Sequence, residues 1–146
     1  MIAPKMTRRK RLVSLSRPTT AQIIFGGYLA FIALIILLKD MDRGQSVFNL
    51  FNGLKHADKV AHFLLFGLLT YLLSFALRHK RIKLMTIRIS LAPVIMLIAT
   101  FVEECSQIGL ESRTFSLLDM LANLVGVLYF GYLAIWFTKT KDIKER

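Results

Sequence analysis

Residues 21–38, AQIIFGGYLAFIALIILL, carry no charge. An α-helix rises about 1.5 Å per residue, so this run reaches about 27 Å, close to the hydrocarbon thickness of a bilayer. Three more segments read the same way. Residues 60–77 are interrupted only by His62, residues 89–102 are uncharged, and residues 115–137 are apolar apart from Ser116, Asp119 and Asn123. The pattern predicts an all-α integral membrane protein, a four-transmembrane-helix bundle with helices at about 21–38, 60–77, 88–108 and 115–137. Pro93 lies inside the third segment and is expected to kink it. Gly26 and Ala30 have the spacing of a small-residue packing face. A mean hydropathy of +0.54 excludes a disordered chain and an ordinary soluble domain. With 146 residues the chain is one domain, and its single Cys105 excludes an intramolecular disulfide or a multi-thiolate metal site. After the first run, KDMDRG lacks small residues suited to signal cleavage, so the first helix is read as retained.

Charge sets the expected orientation. Fifteen of the 20 Lys and Arg residues lie in the two tails and in the loop between the second and third segments. The positive-inside rule then places both termini in the cytoplasm. The domain plan is a basic tail over 1–20, the membrane domain over 21–138 and a second basic tail over 139–146. Topology and attraction to anionic lipid suffice to explain RRKR at 8–11, and no interleaved aromatic platform points to nucleic acid. The expected location is a bacterial cytoplasmic (inner) membrane, with membrane lipids as partners. His79, in the basic inner loop, is read as solvated.

The acids follow the opposite rule. Seven of nine (Asp40, Asp42, Asp58, Glu103, Glu104, Glu111 and Asp119) fall towards the outer side. A charge at the centre of a membrane helix costs about 2.5–3.5 kcal/mol on insertion scales, so such groups point to a buried polar site. Asp58 and His62 are four apart and share a helical face, continued by Phe66 and Thr70; the carboxylate would fix the imidazole's tautomer. Thr100, Gln107 and one of Glu103 and Glu104 share a second face, with the other glutamate expected to point to water. Ser116, Asp119, Asn123 and Gly126 form a third stripe, on which Ser116 is a candidate N-cap and Gly126 permits close backbone approach. Arg113, in the short third loop, suits an anionic group. Residues 46–58 have the spacing of a short interfacial helix. Zinc-spacing, phosphate-loop and nucleophile-elbow motifs are lacking, so no metal and no cofactor is expected.

The order DKVAHF (58–63), EECSQ (103–107), Arg113 and DMLANLVG (119–126) resembles the VanZ-like family of small membrane proteins. The resemblance covers about residues 58–126 and maps onto Asp58, Lys59, His62, Phe63, Glu104, Gln107, Arg113, Asp119, Asn123 and Gly126. Two features depart from the family pattern: IGLES lacks the Pro-Gly often found before the family's Arg, and Glu103 is an additional acid. The family's namesake is associated with low-level teicoplanin resistance, and no established reaction accompanies the family. The resemblance thus implies an envelope role, with a cell-wall precursor, lipid head group or glycopeptide as the ligand. In that reading Lys59, Gln107, Arg113 and Asn123 bind substrate. The alternative is an integral-membrane enzyme acting on an envelope lipid or lipid-linked precursor. There His62, oriented by Asp58, is the acid–base group, and Glu104 and Asp119 supply a second carboxylate or hold a divalent ion. An ion carrier is a weaker reading, because the polar residues stop in the outer half of the helices.

Overall fold

A computed structural model describes residues 18–41, 57–108 and 115–144 of the chain. Within them lie four helices and one β-hairpin: α1 (Thr20–Asp40), α2 (Ala57–Ala76), β1 (Arg81–Leu84), β2 (Ile87–Ser90), α3 (Leu91–Ser106) and α4 (Leu117–Lys144). The tails 1–17 and 145–146, the expected interfacial helix up to residue 56, Glu111 and Arg113 lie outside the described residues.

Three helices are long and apolar enough to cross a membrane: Thr20–Leu38, Ala57–Ala76 and Leu117–Lys139. α3 has 16 residues and a length of about 24 Å. The third predicted helix was to begin at residue 88, but residues 87–90 form β2, so the fold is not purely helical. The expected inner loop is a two-stranded antiparallel hairpin in which Lys83 faces Arg88 and Arg81 faces Ser90. Its two-residue turn carries Met85 at φ 53°, a position where glycine is usual. α2 ends just before it without a glycine. Arg78 and His79 take left-handed backbone conformations, and their N–H groups donate to Phe75 O and Ser74 O, closing a Schellman-type cap. Pro93 is the third residue of α3. The first turn needs no intrahelical donor there, so Pro93 opens the helix instead of kinking its middle. α4 continues to residue 144, into the stretch expected to be a tail.

Contacts fix the helix directions. Gln22 Nε2 donates to Ala76 O and Tyr28 Oη to Leu65 O, so α1 runs antiparallel to α2. α2 and α4 run parallel, in contact from His62–Asn123 at one end to His79–Thr138 at the other. Their backbones approach most closely at two glycines. A Cβ on Gly126 would collide with the Phe63 carbonyl, and one on Gly67 would strike the Phe130 ring and lie 3.1 Å from Gly126 O. Pro93 packs over Gly131, where an added Cβ would sit 2.7 Å from its ring. Gly26 has open space around it and Ala30 is exposed, so that expected packing pair is not used among the described residues.

The core comprises Ile32, Phe66, Leu69, Leu73, Ala92, Met96 and Val127. Large apolar side chains also cover the outside, among them Ile23, Phe31, Ile98, Leu117, Leu128 and Tyr132. The buried set, conversely, includes His62, Thr70, Ser74, Thr100, Glu104, Gln107 and Asn123. An apolar exterior around polar interior groups suits hydrocarbon surroundings, because lipid cannot satisfy a polar group and a neighbouring helix can.

Candidate functional site

The buried polar groups gather where α2 and α4 begin and α3 ends. Each helix supplies a stripe at spacings of three or four: His62, Phe66 and Thr70 from α2; Thr100, Glu104 and Gln107 from α3; Ser116, Asp119 and Asn123 from α4. The parallel course of α2 and α4, with α3 antiparallel to both, brings the stripes together.

His62 is the pivot between α2 and α4. Its Nδ1 lies 3.2 Å from Asn123 Oδ1. An amide oxygen only accepts, so Nδ1–H donates and Nε2 keeps the lone pair. The ring stacks on Phe66 with centroids 5.9 Å apart. The expected orienting partner was Asp58. Asp58 instead accepts from Lys59 Nζ at 2.7 Å at the exposed rim, and the helical face it was to share with His62 carries no bond between them. Asn123 holds the ring because it is fully buried opposite it, whereas Asp58, in the first helical turn, reaches solvent and the adjacent lysine.

Glu104 has no exposed surface, and its Oε1 accepts the Ser116 backbone N–H at 2.8 Å. Ser116 is the N-cap of α4, its Oγ accepting from the Asp119 N–H at 3.3 Å. In a capping box the carboxylate of the third helical residue would take the cap's own N–H. Here Glu104 takes it from a different helix, and Asp119 pairs with Lys59 instead, Oδ1 to Nζ, at 3.2 Å. Lys59 thus bridges Asp58 and Asp119 and ties the starts of α2 and α4 together. Glu104 Oε2 and Asn123 Nδ2 are buried with no hydrogen-bond partner among the described residues.

Glu103 departs from expectation. Instead of facing water, it is half-buried and accepts from Gln107 Nε2 at 2.8 Å through Oε1. Both glutamates therefore belong to the cluster. One ligand atom from each of His62, Glu103 and Glu104 lies within 4.8 Å of the other two. Nothing in the EECSQ segment read alone distinguished the two acids; the tight helix end, with Gln107 folded back on Glu103, decides it. Gln107 is buried as expected, but it serves Glu103.

The polar groups are packed against one another. The grooves beside them are apolar, each about 360 Å³. One runs between α2 and α4 along Val60, Phe63, Leu121 and Val125 with Lys59 at its end; the other lies along Leu97, Thr100, Phe101, Leu117 and Leu124. Thr70 and Ser74, further along α2, donate to the carbonyls of Phe66 and Thr70 in their own helix. At the opposite end His79 is not merely solvated: it stacks edge-on against Phe75 and its Nε2 lies 3.0 Å from Thr138 Oγ1, whose own hydroxyl donates to Ala134 O.

No family model, curated protein or solved structure matches the chain.

Proposed function

We propose that the chain is a four-span protein of a bacterial cytoplasmic membrane, with both termini and the basic hairpin inside, and that its His62–Glu104–Asn123 cluster binds or modifies a component of the cell envelope on the outer side. In this arrangement α3 is the fourth span. Its short helix is extended by the hairpin at the cytoplasmic face, where Arg81, Lys83 and Arg88 meet anionic head groups.

One observation carries the reading: an acceptor, Glu104 Oε2, and a donor, Asn123 Nδ2, are both buried in one cluster with no hydrogen-bond partner among the described residues. A buried polar group without a partner costs about 1–3 kcal/mol, so such a group calls for an explanation, and a functional role is one. The apolar groove ending at Lys59 suits an acyl or polyprenyl chain whose polar head lies at the cluster. A lipid-anchored envelope compound fits this combination better than a freely soluble one. The order of motifs shared with VanZ-like proteins adds a link to glycopeptide (teicoplanin) resistance.

A second reading, acid–base catalysis on such a lipid, is favoured by the lone pair that the Asn123 contact leaves on His62 Nε2. Comparing envelope lipids and lipid-linked precursors in cells expressing wild type or His62→Ala separates the two. New or depleted species that depend on His62 indicate catalysis. Unchanged species, with photo-crosslinking of a lipid probe that requires Asn123, indicate binding. Neither effect at equal expression refutes both.

A further inference from the structure

We propose that His62, Glu103 and Glu104 form a site for one divalent transition-metal ion, Zn²⁺ or Mn²⁺, at the meeting of α2 and α3. It is drawn from the same cluster as the functional reading, but the geometry stands without that reading.

The three candidate ligand atoms already lie within 4.8 Å of one another. An ion bonding at about 2.1 Å draws its ligands to within about 4.2 Å of each other, so small side-chain rotations close the set. Each ligand is held by a partner of its own. His62 Nδ1–H is bonded to Asn123, which fixes the tautomer and leaves Nε2 as the ligating nitrogen. Glu103 Oε1 is held by Gln107 Nε2, and Glu104 Oε1 by the Ser116 N–H. This is the pattern of an oriented metal shell, in which groups behind the ligands set their direction.

The independent observation is Glu104 Oε2. Glu104 is wholly buried, and this oxygen has no hydrogen-bond partner among the described residues. Both glutamates also sit in the last turn of α3, where the helix dipole disfavours negative charge. Among the described residues, the Lys59 ammonium is engaged by Asp58 and Asp119. The two carboxylates together carry two negative charges, which one divalent cation at the three side chains would offset.

Ligand type selects the ion. Imidazole suits Zn²⁺ and other transition ions, and two carboxylates extend the range to Mn²⁺. Mg²⁺ holds its waters and prefers near-ideal octahedral oxygen shells, which this nitrogen-containing set does not offer. Three protein ligands leave a position open to water or to a ligand oxygen.

The test is metal content of the full chain purified in detergent. The protein is stripped with chelator, equilibrated with Zn²⁺, Mn²⁺ or Mg²⁺, desalted and measured by mass spectrometry. Wild type and His79→Ala should each retain about one Zn²⁺ or Mn²⁺ per chain and no Mg²⁺. Asn123→Ala should bind about 10- to 100-fold more weakly, and His62→Ala, Glu104→Gln and Glu103→Gln should retain none. Glu103 is only half-buried, so Glu103→Gln keeps the test decisive if Glu104→Gln does not fold. Wild type without bound ion, or the ligand variants binding as wild type does, overturns the site. Because the readout is the ion itself, a bound metal without any envelope phenotype would refute the proposed function and leave the site standing; the reverse result would refute the site alone.

Discussion

His62 on α2 and Asn123 on α4 meet through a buried hydrogen bond, Nδ1 to Oδ1 at 3.2 Å, across 61 residues of sequence. The pair joins the two parallel helices at the end where the polar groups gather. It predicts strong coupling in a double-mutant cycle. His62→Ala and Asn123→Ala should be non-additive in stability by about 0.5–3 kcal/mol. His62→Ala with Asp58→Ala should add, because Asp58 is bonded to Lys59 at the rim. Denaturation in detergent micelles measures both, and coupling in the Asp58 cycle alone would reverse the assignment of the ring's partner.

Glu104 caps α4 from another helix, so its substitutions should be graded. Glu104→Gln keeps an oxygen for the Ser116 N–H and should lose little stability. Glu104→Ala leaves that donor unpaired and opens a void, with an expected loss of about 1–3 kcal/mol from the donor alone. Equal losses for the two would show that the carboxylate's charge, not its contact with Ser116, is what matters.

The crossing of α2 and α4 depends on glycine. Gly126→Ala forces a methyl group onto the Phe63 carbonyl and should destabilise by about 1–3 kcal/mol. Gly26→Ala has open space and should be neutral or slightly stabilising through helix propensity. Thermal unfolding of the two variants checks the contrast.

The three long apolar helices were legible because an uncharged run of 18 or more residues has few alternative readings. The stripe Ser116–Asp119–Asn123–Gly126 was legible because its members recur every three or four positions, and it lies on one buried or half-buried face. Register at the helix ends was not. Residues 88–90 look like the start of an apolar helix, yet they pair with 81–83 across a turn at Met85 that no glycine announces. Partner choice was also illegible. Spacing of four puts Asp58 and His62 on one face but says nothing of Asn123, 61 positions away. Likewise, adjacency suggested that Glu103 and Glu104 must diverge, but at the end of α3 a folded-back Gln107 holds Glu103 in the cluster. Arg113 lies outside the described residues, so its expected part in anion binding rests on the sequence alone.

Orientation gives a further prediction. With Cys105 replaced by serine, a cysteine at Thr86 in the hairpin turn should react with an impermeant maleimide only after the membrane is opened. One at Met41, at the other end, should react in intact cells. Labelling of both sites from outside, or of neither, would contradict the four-span topology.

The central claim is that the His62–Glu104–Asn123 cluster is the working part of the protein, acting on an envelope component. The most direct test is teicoplanin susceptibility of a sensitive Gram-positive host expressing wild type, His62→Ala or Asn123→Ala at equal membrane levels. The account predicts protection by wild type and its loss in both variants. Protection by the variants equal to that of wild type, or none from wild type itself, would contradict it.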